Sequence, residues 1–243
     1  MFDLSGRVAL ITGASGEIPR AIATLFAAAG ARLVLTDIDD AGLDAFADTL
    51  AAEVLVCCHD VTLSADAQRV AERAAARFGR VDAVVTGAGL YQQLPLADIT
   101  DEQWRHALAV NLDGVFLTVR ALLPHLAEGS SVVNIASMAG HRGSLDHTPY
   151  ATAKGGVLAL TRSLARELAP RTRVNAVSPG LIDTRMMQSL DPERRAAMIG
   201  ATPLGRLGTA GEVAGVVAFL CSDAAAFVTG EVVQVNGGLH MAG

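Results

Sequence analysis

Short, almost unbroken apolar runs recur along the chain, each separated from the next by a longer alanine-rich stretch. The runs fall at residues 8–11, 32–36, 54–58, 83–85, 132–135, 174–177 and 232–235. A strand with one wet face alternates apolar and polar residues, whereas a strand covered on both faces reads as continuously apolar. The intervening stretches at 21–29, 40–52, 65–78, 101–123, 150–168 and 211–221 carry helical patterning. Gly30 supplies a stop for the first of them, and Thr100 with Gln103 forms a capping-box pattern at the start of the fourth. Strand-then-helix order of this kind predicts an α/β fold: a doubly wound parallel sheet of about seven strands, helices on both faces, joined by right-handed crossovers.

A chain of 243 residues suits a single domain spanning 1–243, and 51% hydrophobic against 18% charged residues is enough to fill its core. Lysine and arginine number 19 against 25 acidic residues, a net charge of −6 with no basic run, so a nucleic-acid partner is not expected. Cys57, Cys58 and Cys221 lack metal-ligand spacing and read as reduced core thiols. Six scattered histidines likewise give no metal site. The first residues do not read as a signal peptide, and the apolar runs are too short for a bilayer, so a cytoplasmic protein without a membrane partner is expected. Residues 183–203 are polar and weakly periodic, which predicts a helical substrate lid.

Ligands of such sheets bind outside the carboxyl ends of the strands. The first strand runs into a glycine turn, Thr12-Gly13-Ala14-Ser15-Gly16-Glu17-Ile18-Pro19, leading into a helix start where N–H groups and the helix dipole can hold a pyrophosphate. Gly13, Ser15 and Ile18 are its candidate contacts. Asp37 ends the second strand, placed either to accept from an adenosine ribose or merely to cap the next turn. As a ribose acceptor it would repel a 2′-phosphate, which favours NAD over NADP. Asp60 and Val61 after the third strand, and Ala88 and Gly89 after the fourth, are placed to wall the adenosine.

The fifth strand runs into Ser137, and Tyr150 and Lys154 follow on one helical face a turn apart. A free phenol titrates near ~10. A nearby ammonium is expected to lower that value and make Tyr150 a usable acid or base, while Ser137 fixes the substrate oxygen.

These segments, together with Val110-Asn111-Leu112-Asp113-Gly114, Asn134-Ile135-Ala136-Ser137, Tyr150-Ala151-Thr152-Ala153-Lys154, Ser178-Pro179-Gly180 and Asn236-Gly237-Gly238, resemble the short-chain dehydrogenases/reductases over nearly the whole length. The resemblance implies a Rossmann-like fold with Tyr150 as catalytic acid/base, Ser137 positioning the carbonyl oxygen and Lys154 binding the nicotinamide ribose. It further implies that Asn111 holds a relay water, that Pro179, Gly180, Ile182 and Thr184 contact the nicotinamide end, and that the chain forms a homotetramer through the helices bearing Asn111 and Tyr150.

The family turn Thr-Gly-x-x-x-Gly-x-Gly would place glycines at 17 and 19, where this chain has Glu17 and Pro19. Glu17 sets a carboxylate beside the expected pyrophosphate. Pro19 removes a backbone donor, although a first helical turn tolerates proline. Thr86-Gly87 replaces a common asparagine pair, at an expected cost in sheet-bracing hydrogen bonds. The pocket is expected to draw on Leu94, His147 and Met186, and Tyr91, Gln92, Gln93, His141, Arg142, Ser144, Leu145 and Met187 are placed either to line it too or to lie in solvated loops; an inward Arg142 would suit an anionic substrate. The expected activity is NAD-dependent hydride transfer between nicotinamide and a small secondary alcohol or ketone. The alternatives are an NADPH-linked 3-oxoacyl-thioester reductase and a non-enzymatic binding protein with a disabled turn.

Overall fold

The computed structural model describes residues 2–39, 41–185 and 192–241. Its sheet runs in the order β3-β2-β1-β4-β5-β6-β7 and every pairing is parallel. The strands are β1 (Val8–Thr12), β2 (Arg32–Asp37), β3 (Val54–Cys58), β4 (Val81–Thr86), β5 (Leu126–Ile135), β6 (Thr172–Pro179) and β7 (Val232–Val235). Each expected run is a strand, and several extend by one or more residues at their ends.

Period-2 geometry explains why both neighbours in a strand can be apolar. Ala9 and Ile11 of β1 enter one core while Val8 and Leu10 enter the other. Leu33 and Leu35 of β2 are likewise divided from Val34, and Ala83 and Val85 of β4 from Val84, while a register shift between Val81 and Ala83 puts Val81 in the same core as Val84. Helices α1 (Glu17–Ala28) and α9 (Ala210–Cys221) pack together over the first face. Helices α3 (Ser64–Phe78), α5 (Gly114–Leu122) and α7 (Thr148–Leu168) cover the second.

Helix α2 is Ala41–Ala47, shorter than its pattern, and α4 is Asp101–Leu108, opened by the capping box of Thr100 and Gln103. A π-helical turn, Ala109–Asp113, joins α4 to α5. The joined helix, Asp101–His125, is long and apolar enough by length and composition to cross a membrane, contrary to the expectation that no run sufficed. It begins with Asp101 and Glu102, and packs against α3 and α7. One short helix was not expected from the sequence, α6 (Ala139–Arg142), while α8 (Pro192–Ala201) falls inside the stretch expected to form a helical lid. Cys57 and Cys221 are buried, but Cys58 is exposed at the end of β3, so only two of the three are core thiols.

Candidate active site

The sheet brings the ends of β1, β2, β4, β5 and β6 to one edge, and two cavities open there on either side of the β1–α1 turn. One, of about 340 Å³, is lined by Gly13, Asp37, Asp60, Val61, Ala88 and Gly89 among others. The second, of about 310 Å³, is lined by Ile18, Ser137, Tyr150, Pro179, Gly180, Ile182 and Thr184 among others. Apart from Ser15 and Lys154, which are in neither described lining, the cofactor-binding residues expected from the sequence divide between two hollows flanking one helix N-terminus, an arrangement that fits an extended dinucleotide.

Gly13 makes the approach of the turn to β4 feasible. Its φ is +68°, and a Cβ there would sit 2.5 Å from the Ala88 Cα. Thr12 Oγ1 accepts from the N–H groups of Gly87 (3.1 Å) and Ala88 (3.3 Å), fixing the two loops together. Ser15 is a correction. Its N–H donates to Asp37 Oδ2 (2.9 Å) and its hydroxyl to the Asp39 carbonyl (3.2 Å), so both donors are spent tying the turn to the end of β2. Gly16 donates to the Gly13 carbonyl and Pro19 has no N–H, which leaves Glu17 and Ile18 to present the open donors of the first turn.

The two departures in that turn are each accommodated. Glu17 is exposed and its carboxylate accepts from the Arg185 N–H (2.9 Å), on the segment that follows Thr184. Pro19 is buried in the first turn of α1 and packs on Gly87, where a Cβ would lie 2.8 Å from both Pro19 Cγ and the Thr12 carbonyl oxygen. The glycine at 87 therefore makes room for the proline at 19. Gly87→Ala is expected to cost about 1–3 kcal/mol of stability through this overpacking, with the loss partly recovered in combination with Pro19→Gly. Denaturant unfolding of the two single variants and the double variant checks it. The neighbouring Thr86 keeps the sheet braced, contrary to the expected loss: its hydroxyl donates to Asn134 Oδ1 (2.9 Å), and Asn134 Nδ2 donates to Thr161 Oγ1 (2.9 Å).

Asp37 serves as a turn cap, accepting from Ser15 and from the Asp39 N–H (3.2 Å). A carboxylate offers about four acceptor sites, so lone pairs remain for a ribose diol. Asp60 Oδ1 accepts from both the N–H (2.9 Å) and the hydroxyl (2.7 Å) of Thr62, and Val61 is buried against Gly114.

On the chemical side, α7 buries Ala153, Lys154, Val157, Leu158, Thr161 and Ala165, a helical stripe into which one ammonium has been set. Lys154 Nζ donates to the Ile135 carbonyl (2.7 Å) and lies 5.8 Å from the Tyr150 ring centre. Burial lowers its pKa to about 8. Burial also raises the Tyr150 phenol, and the Ser137 hydroxyl opposes that rise. The net direction for Tyr150 is upward, against the lowering by Lys154 expected from the sequence. The ammonium is held by a carbonyl instead, and desolvation dominates both groups.

Lys154 makes stability pH-dependent. Its ordinary value is 10.5, so between about pH 8 and that value the unfolded chain holds a proton the folded chain has released. Stability then rises with pH across that window. From about pH 7.5 to about pH 9 the gain from this group is about 1 kcal/mol, and Lys154→Met is expected to lack it. Cys221, pushed up to about 11 by burial, acts in the opposite sense only above its ordinary 9.0. Urea unfolding of the cofactor-free protein at the two pH values measures the difference.

Asn111 sits buried in the π turn. Its amide donates to the carbonyls of Leu90 (2.9 Å) and Ala107 (3.0 Å), and its Oδ1 accepts from the Leu90 N–H (3.1 Å). Both amide protons are spent, leaving one lone pair on Oδ1 for a water. Its evident work is to pin the loop after β4. His147 lines the second cavity, with its ring stacked on Tyr91 at 4.2 Å, while Tyr91 meets Tyr150 edge-on at 4.8 Å. Tyr91, a candidate lining residue by position in the sequence, does line this cavity. Leu94 is a correction: it is absent from the described lining, and its N–H is tied to the Asp146 carbonyl (2.7 Å). Met186 and Met187 lie outside the described residues, while Met198 of α8 does line the cavity.

A family profile described as enoyl-(acyl carrier protein) reductase matches residues 13–240. The 3-oxoacyl-[acyl-carrier-protein] reductase FabG of Escherichia coli (strain K12) is 39% identical over 242 residues, covering 98% of this chain and 99% of that protein. The chain belongs to the short-chain dehydrogenase/reductase family. Another such relative, FabG of Thermotoga maritima, is 38% identical over 97% of this chain and 98% of its own length. A solved short-chain dehydrogenase/reductase of Brucella melitensis, named as a glucose/ribitol dehydrogenase, is 47% identical with a TM-score of 0.93, covering 99% of each chain. As a member of this family the protein is an oxidoreductase that interconverts carbonyl and alcohol groups with a nicotinamide dinucleotide.

Proposed function

We propose that this short-chain dehydrogenase/reductase reduces the ketone of a 3-oxoacyl thioester, with NADH as its cofactor. The observation that carries the chemistry is the placement of Ser137 and Tyr150 on one wall of a cavity with Lys154 buried behind them. Nicotinamide, when bound, supplies the hydride. The chain's own part is to hold the carbonyl oxygen between the Ser137 and Tyr150 hydroxyls, and to give it a proton from Tyr150 as negative charge develops there. Lys154 contributes a positive charge near the phenol, which favours the phenolate left once that proton has gone. The first-turn N–H groups of Glu17 and Ile18 are suited to a pyrophosphate, and Asp37 to the adenosine ribose.

The names of the FabG relatives support a 3-oxoacyl thioester over the small alcohol expected from the sequence. The choice of NADH rests on charge. The described lining of the adenosine-side cavity includes Asp37 and Asp60 and no lysine or arginine, so a 2′-phosphate would meet carboxylate without compensation. A second reading, oxidation of a polyol with NAD, is favoured by the name of the Brucella melitensis neighbour. The reading extends to a cytoplasmic protein, as expected from the sequence, and to a homotetramer, as the family resemblance implied.

Steady-state assays separate these readings. Acetoacetyl-CoA is offered with NADH and with NADPH, and ribitol or glucose with NAD. Faster NADH oxidation with the thioester than in any other pairing is expected. Faster polyol oxidation would move the function to the second reading, and a strong NADPH preference would defeat the cofactor assignment.

A further inference from the structure

Arg142 ends α6, five positions beyond Ser137, and is an exposed residue in the lining of the cavity that holds Ser137 and Tyr150. The described lining of that cavity is otherwise apolar or neutral: Met138, Leu181, Ile182 and Met198 supply the apolar wall, and no aspartate or glutamate is among its described residues. The ion pairs among the described residues engage Arg7, Arg69, Arg77, Arg80, Arg105, Arg171, Arg195 and Arg206, and Arg142 is in none of them. A guanidinium presents donors in a fixed fork that matches a carboxylate or phosphate, and one outside any such pair beside an apolar wall is a prepared anion partner. The chain as a whole carries a net charge of −6, so a cationic cavity runs against its overall balance.

We infer that the substrate is a ketone whose far end bears an oxyanion, and that Arg142 is the specificity-determining residue that binds it. This inference rests on the reductase reading above. The reacting carbonyl is held at Ser137 and Tyr150, the apolar wall covers the intervening carbons, and the oxyanion meets Arg142 at the mouth. The cavity of about 310 Å³ must also take the nicotinamide, whose expected contacts Pro179, Gly180, Ile182 and Thr184 line it, so the room left suits only a short chain between the two polar ends. The oxyanion has two sources, a carboxylate on the keto compound itself or a phosphate on the group that carries it as a thioester.

The test uses two substrate pairs that differ in charge. 5-Oxohexanoate is compared with its ethyl ester, and acetoacetyl-CoA with the N-acetylcysteamine thioester. In one pair the charged member is expected to be favoured about tenfold or more in kcat/KM, and that pair names the source. Arg142→Gln is expected to bring the ratio to within about twofold of unity, and Arg142→Lys to leave it in between. Arg105→Gln, the same charge change on the exposed start of the α4–α5 helix, is expected to keep the wild-type ratio. Equal kcat/KM within both pairs, or a preference that survives Arg142→Gln, overturns the inference. Calorimetric binding of the same pairs to Tyr150→Phe with NADH present reads the charge preference without turnover. A preference there in a chain that reduces no ketone would take down the reductase reading and leave Arg142 standing; no preference there overturns the Arg142 inference.

Discussion

Tyr150→Phe is expected to lower kcat for ketone reduction by about a thousandfold while leaving the dissociation constant for NADH within about threefold of the parent chain. The variant removes one oxygen from a side chain whose ring stays packed edge-on against Tyr91, so the cavity keeps its shape and only the proton donor is lost. The Ser137 hydroxyl remains to polarise the carbonyl, and the Ala139 N–H that donates to it (3.1 Å) holds it in place, so a residual rate should survive. Stopped-flow turnover and an NADH titration on the same preparation separate the two effects. Unchanged turnover would remove Tyr150 from the chemistry; a parallel collapse of NADH binding would assign it to binding instead.

Asp37→Asn is expected to lower the ratio of kcat/KM with NADH to that with NADPH by about tenfold or more. A carboxylate about 4 Å from a further negative charge is disfavoured by about 4 kcal/mol at an effective dielectric near 20, and asparagine removes that repulsion. The amide is chosen over a smaller residue because it keeps an oxygen for the Ser15 N–H, now satisfied at 2.9 Å. The turn is then retained while the charge is lost. Initial rates with both cofactors read the ratio, and a thermal melt checks that the turn survives. A ratio that does not move would reduce Asp37 to the turn cap that its bonds to Ser15 and Asp39 already make it.

The strands were legible because each is apolar on both faces, and the division of Leu33 from Val34 between opposite cores is the physical form of that signal. The grouping of Ser137 and Tyr150 in the lining of one cavity, with Lys154 buried beside them, was legible from spacing on a strand end and a helix face. What sequence spacing could not supply was the local hydrogen-bond economy. Ser15 looked like a phosphate donor, but only coordinates reveal that its N–H is already taken by Asp37, 22 residues away. The direction for Tyr150 was misread for a different reason: a helical turn places the ammonium near the ring, but spacing does not show how deeply the phenol is buried, and desolvation is the larger effect. Tyr91 was underweighted because its stacking on His147 joins two loops 56 residues apart. A second capping box, Thr209 with Glu212 at the start of α9, was present in the sequence as plainly as the first and was not read.

Glu17 and Pro19 looked damaging in isolation and are each accommodated by a partner far along the chain: the Arg185 backbone N–H donates to the carboxylate and Gly87 makes room for the ring. The central claim is that this altered turn still binds a dinucleotide, with Tyr150 waiting at its far end. Titration of NADH fluorescence with the purified wild-type chain tests that most directly. Saturable binding at micromolar cofactor is the expected result, and no change in the spectrum up to millimolar cofactor would contradict it.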